Sequence, residues 1–203
     1  MKAGLILIAV VVLGVTGYFI FKKPSSQHPE VKDQPLSISK NSPAFNTPFN
    51  NLLEGYYQLK DALVNWDSTG AATLAANLED LAAKVPYQDL KADSGIVMTA
   101  KSFSTEIMTQ AKSIAGNSPI ADKRHAFYSL SESLYNLIRT VHYDQSVIYH
   151  DKCPMAFGGD HEGYWITNSR EISNPYFGNK HPKYHTAMVT CGNIEDSIDF
   201  RQQ

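Results

Sequence analysis

Both cysteines of the chain sit beside a methionine. They form the segments Cys153-Pro154-Met155 and Met188-Val189-Thr190-Cys191. The stretch from Tyr149 to Gly192 also contains His150, His161, His181 and His185, four of the chain's seven histidines. Thiolate and thioether are soft donors that select Cu(I) and, by the same softness, Ag(I). Pro154, with its fixed φ, can turn the chain so that the sulfurs of Cys153 and Met155 face one ion. Met188 and Cys191, three apart, share one face of a helical turn. Two such pairs facing each other would offer four sulfurs. His150 lies three residues before Cys153, and His185 three before Met188, so either can complete or replace a ligand. The candidate metal set is therefore Cys153, Met155, Met188 and Cys191, with His185 and His150 as alternates. Cu(I) or Ag(I) is the expected ion, and Zn(II) ranks behind them.

Other chemistries fit the same residues. Two cysteines in an exported protein often pair, and a loop of this length would gain about 3–4 kcal/mol from closure. They can also be two unrelated buried thiols, with the methionines filling core space. A catalytic thiol needs an imidazole partner and an orienting group. Cys153 heads no recognisable helix and no nucleophile motif surrounds it. There is no Gly-rich phosphate loop, H-E-x-x-H, C-x-x-C-H or di-iron E-x-x-H pattern, so the chain reads as a non-enzyme. His161, between Asp160 and Glu162, reads as a surface residue, and His181, beside Pro182, as a loop residue. His125 and His142 fall near the ends of a helix, as solvated or capping groups. With a formal net charge of −2, there is no basic field to hold nucleic acid.

These residues need a scaffold, and the rest of the sequence supplies one. The run from Ala3 to Phe21 carries no charge and is closed by Lys22-Lys23. It is long enough to cross a hydrocarbon core. It reads as an uncleaved signal anchor over residues 1–23, with a cleaved signal peptide as the alternative. Residues 24–47, rich in proline and polar side chains, read as an extended tether. His28 lies within it.

Four apolar stripes of helical period follow over residues 48–143. The first is Leu52, Tyr56, Leu59, Leu63 and Trp66, opened by Thr47-Pro48. The second is Leu74, Leu78, Leu81 and Val85, starting after Asp67 or Ser68 and stopped by Pro86. The third is Ile96, Ala100, Phe103, Ile107, Ala111 and Ile114, stopped by Gly116. The fourth is Phe127, Leu130, Leu134, Leu137, Ile138 and Val141, opened by Ser118-Pro119. Short connections predict an up-down four-helix bundle, so the fold class is mainly α. Residues 144–203 lose this period and read as a loop-rich cap on the bundle. "SVIYH" and "GYWIT" are its strand-like runs, with Gly158-Gly159 as a turn between them. Tyr164, Trp165, Tyr176 and Phe177 are its expected apolar core.

The motifs "CPMAF", "GYWITNSREISNPYFG" and "MVTCG" resemble a bacterial exported domain of unknown function. That domain also forms the C-terminal extension of some periplasmic adaptor subunits of heavy-metal efflux pumps. The match falls on Cys153 to Ala156, Trp165, Ile172, Asn174 to Gly178, Met188, Cys191 and Gly192. The chain departs from the pattern in two places: Ile166-Thr167 replaces Leu-Ser, and "NKHPKYHTA" intervenes before the last motif, adding His181 and His185. The resemblance implies a helical bundle with a C-terminal cap, anchored to the inner membrane and facing the periplasm. It also implies copper or silver handling, with a periplasmic efflux adaptor or a multicopper oxidase as partner. The alternative is an envelope interaction module stapled by a Cys153–Cys191 disulfide.

Overall fold

The computed structural model describes residues 40–201. The predicted anchor, and the tether as far as residue 39, lie outside the described residues. Among the described residues, no helix is long and apolar enough to cross a membrane. Four helices come first: α1 (Pro43–Val64), α2 (Ser68–Ala83), α3 (Ser94–Ala115) and α4 (Ile120–Thr140). A single 3-10 turn (Tyr87–Asp89) joins α2 to α3. Three strands follow: β1 (Ile148–Cys153), β2 (Gly163–Thr167) and β3 (Asn193–Ile198).

α1 starts earlier than the sequence suggested. Ser42, not Thr47, is the N-cap, its hydroxyl accepting from Phe45 N at 3.2 Å, and Pro43 follows in the first turn. The proline expected at the start, Pro48, lies inside the helix. An interior proline costs about 3 kcal/mol. The longer helix, however, buries Phe45 and Phe49 completely. Two such rings contribute about 1.5–3 kcal/mol each, enough to offset the proline. At the other end, Trp66 is not on the helix as its place in the stripe implied. It follows the C-cap Asn65 in the left-handed region (φ 60°).

α2 buries Leu78, and Val85 just beyond its end, as expected, but its inner face is rotated toward the alanines. Ala71, Ala75, Leu78 and Ala82 are buried, while Leu74 and Leu81 are only partly so. At its contact with α1, leucine meets glycine. A Cβ added at Gly55 of α1 would stand 2.7 Å from Leu81 Cδ1 and 3.2 Å from Leu78 Cδ1. Gly55 leaves the room that these two leucines occupy. In α3, Phe103 is half-buried and Ile96 is at the exposed end, while Ala100, Ile107, Ala111 and Ile114 are fully buried as expected. α4 matches its predicted stripe throughout and also buries Lys123, Arg124, Ser131 and Tyr135. Lys123 Nζ donates to the carbonyls of Ile114 and Gly116, satisfying the end of α3.

Consecutive helices pack on one another, and the sheet packs on α4 through β2. Sheet order is β2-β1-β3, all antiparallel. β2 is the predicted "GYWIT" run. β3 was not foreseen: "NIEDSI" is an exposed, polar edge strand of the kind that blunts unwanted pairing. Trp165, Tyr176 and Phe177 are buried, as expected of the cap core, and Tyr164 is partly exposed.

Candidate dithiol site and its surroundings

Strand register brings the two cysteines together. In the β1–β3 pair, Lys152 faces Asn193. One step on along β1 is Cys153, and two steps back from Asn193 is Cys191. Their Sγ atoms lie 3.1 Å apart. Both are free thiols, Cys153 fully buried and Cys191 partly so. Gly192 permits the approach. Its φ is +138°, and a Cβ there would stand 2.7 Å from Lys152 O and 3.0 Å from the Trp165 ring.

Asn174 of the "NPYFG" motif fixes the Cys191 turn. Fully buried, it gives Nδ2 to Cys191 O at 2.8 Å and its backbone N–H to Val189 O at 2.8 Å. Its Oδ1 accepts from the backbone N–H groups of Tyr176 and Phe177 at 2.8 and 3.1 Å. Cys191 N donates to Met188 O at 3.0 Å, closing the turn that the Met-x-x-Cys spacing implied. Burial, reinforced by the adjacent Cys153 sulfur, pushes the Cys191 thiol up to about 11.

The other candidate residues are placed as follows. Met188 is partly buried and packs against the core beside this turn. Met155 is 44 % exposed and lines a cleft that neither cysteine lines. His150 faces the other way: residues three apart in a strand point to opposite sides. Its Nε2 is 2.9 Å from Glu132 Oε1, and its ring stacks on Tyr135 at 3.9 Å. His185 is exposed in a left-handed turn (φ 51°) bridged to His181. Of the six, then, the structure joins Cys153 to Cys191. Among the described residues, no three His, Cys, Asp or Glu side chains gather into a metal-holding group.

Two features escaped the sequence. Asp151 faces Trp165 across the β1–β2 pair and is fully buried, its two oxygens without hydrogen bonds. Burial raises its pKa to about 7, against the opposing pull of Lys60, His150 and the Trp165 indole N–H. That indole is near enough to favour the carboxylate but is not aligned to bond it. Arg124 is also buried and stacks on Trp66, 4.1 Å from the ring centre. An alternation signal marks neither residue, because a buried charge reads in sequence as a solvent-facing one.

These features define a four-helix domain with a C-terminal three-stranded sheet, at whose end a buried and a half-buried thiol meet. Residues 52–146 match a family whose description is "Protein of unknown function (DUF3347)". The matched segment takes in most of α1 and all of α2 to α4, and ends before β1, so the cysteine-bearing motifs lie beyond it. No curated protein and no solved structure matches the chain.

Proposed function

We propose that this chain is a soft-metal binding protein that takes Cu(I) or Ag(I) as cargo on Cys153 and Cys191. The observation that carries the proposal is the contact between their sulfurs, made by residues 38 positions apart. Two thiolates can hold Cu(I) once their sulfurs, 3.1 Å apart, spread to admit the ion, and Met188, on the same turn as Cys191, offers a neutral soft donor. A partly exposed Cys191 leaves an entry side, while the buried Cys153 keeps water from the bound ion. Each thiol must lose its proton to ligate, so loading releases protons and weakens in acid. The motif resemblance supports a periplasmic location, with residues 1–23 as the inner-membrane anchor and an efflux adaptor or multicopper oxidase as recipient.

The test is anaerobic titration of the full chain with Cu(I) against a competing chelator. One ion per chain is expected, and Cys153→Ser with Cys191→Ser should abolish the high-affinity site. Unchanged affinity in that double variant would end the proposal.

A second reading is favoured by the raised pKa of Cys191. A thiol that resists ionisation is a reluctant ligand, whereas an oxidised pair buries no charge. The cap would then be an envelope interaction module stapled by a Cys153–Cys191 disulfide. Counting thiols on protein isolated without reductant separates the two: two free thiols favour the metal reading, none the staple.

A further inference from the structure

A cleft of about 840 Å³ opens between the start of α4, the Met155–Gly159 turn and the 176–184 loop. Such a volume suits a small organic ligand. Its walls are aromatic: Phe157, Phe177, Tyr184 and His181 line it beside Trp66. His125 stacks on Phe157 at 4.2 Å, and Phe177 meets Tyr184 edge-on at 5.6 Å. Met155, otherwise an anomalous exposed methionine, stands at its lip.

The charge in this cleft has one sign. Arg124 and Lys183 line it, and no aspartate or glutamate does. Arg124 is only 5 % exposed, yet no carboxylate pairs with it among the described residues. Its Nε donates to Pro175 O at 2.8 Å and one Nη to Leu63 O at 3.0 Å. Leu63 is in the last turn of α1, so the guanidinium also caps that helix. Holding two carbonyls explains why the side chain is ordered; it does not neutralise it. No described residue accepts from the remaining Nη1. A buried cation without a counterion is costly, and a bound anion would relieve that cost. Arg124 and Lys183 together hold the His181 pKa below its ordinary value, after burial itself.

We infer that this cleft is a binding site for a small organic acid with a flat apolar body, an aromatic carboxylate. The carboxylate takes the free Nη1 of Arg124 as a charge-assisted partner, and the rings of Phe157, Phe177 and Tyr184 pack on the body. The site is separate from the thiol pair, since neither cysteine lines it. It therefore stands or falls independently of metal binding.

The test is calorimetric titration of the full chain with 2-naphthoate and with its neutral isostere 2-naphthylmethanol. The acid should bind about tenfold or more tightly than the alcohol, the advantage of one charge-assisted hydrogen bond. Tyr184→Ala, a partly exposed loop change, should weaken both ligands. Arg124→Met should erase the preference for the acid, if circular dichroism shows that variant folded. The comparison of the two ligands on the unaltered chain decides the matter even if it is not. Equal affinity for acid and alcohol, no heat with 2-naphthoate at millimolar concentration, or binding indifferent to Tyr184→Ala would each overturn the inference.

Discussion

The Tyr56 hydroxyl accepts a hydrogen bond from the backbone N–H of Ile166 at 3.0 Å, a direct tie from α1 to β2. The same hydroxyl contacts Ser131 Oγ at 2.8 Å, and Ser131 in turn donates to Phe127 O at 2.8 Å. All these groups are buried. One side chain thus orients the sheet, and through the sheet register the thiol pair, against the bundle. Tyr56→Phe should strand the Ile166 N–H and cost about 1–3 kcal/mol. Denaturant unfolding measures it. Ser131→Ala, which leaves Ile166 satisfied, should cost less. Equal losses would show that stranding the Tyr56 O–H, deprived of its Ser131 acceptor, costs as much as stranding the Ile166 N–H.

Cys191 should alkylate slowly. Its pKa, raised from 9.0 to about 11, leaves roughly a hundredfold less thiolate at pH 7 than an unperturbed cysteine has. In the reduced native chain, reaction with iodoacetamide should be about that much slower than in the same chain unfolded in urea. The rate should climb with pH toward 11. Native and unfolded rates that agree at pH 7 would mean an accessible, stabilised thiolate.

How much of this could be read from the residues alone varies with the kind of signal. α4 was legible because each of its predicted apolar positions packs inward. The α2 face was only partly so: Leu78 and Val85 are buried as expected, while Leu74 and Leu81 are half-buried. Three alanines share the buried face with Leu78, and alanine adds little to a hydrophobic stripe, so the leucine spacing alone set the phase slightly wrong. β3 was hidden because an exposed edge strand needs little apolar alternation. The cysteine pair was suspected from sulfur spacing, but its convergence depends on a strand register that no local pattern encodes. The Arg124 cleft draws its walls from residues 66, 124, 157, 177, 181 and 184. No window of sequence brings those together, and a buried arginine in a helix looks like an exposed one.

Asp151 should make stability depend on pH. Its folded pKa, about 7, lies above the ordinary 3.8, so between those values the folded chain holds a proton that the unfolded chain has lost. Stability from this group is therefore greatest below about pH 4 and falls as pH rises toward 7. Above pH 7 the folded chain carries a buried carboxylate with no hydrogen bond to either oxygen. Asp151→Asn removes that charge. It should stabilise by about 1–2 kcal/mol at pH 8, with the gain fading toward pH 4. Thermal unfolding of both proteins across this range tests it. A loss of stability at pH 8 would mean that Lys60 compensates the carboxylate more than its burial costs.

Pro48 offers the simplest route to a more stable protein. It lies in the second turn of α1, where it cannot donate to Ala44 O and its ring crowds that carbonyl. Phe45 and Phe49, both fully buried, hold the helix in place around it. The ring stack between them, 5.4 Å between centroids, and the contact of Phe49 with Tyr143 at 5.3 Å fix this first segment to the region where α4 leads into the sheet. Pro48→Ala restores the missing donor without touching either ring. Against this, proline limits the unfolded chain and so contributes about 0.4–1 kcal/mol of its own. The interior penalty is larger, about 3 kcal/mol in an ideal helix. The net expectation is a gain of about 1–2 kcal/mol, read as a higher urea midpoint at unchanged slope. A lower midpoint would show that α1 already bends at Pro48 to seat Phe45, and that straightening it separates that ring from Tyr87, 6.2 Å away.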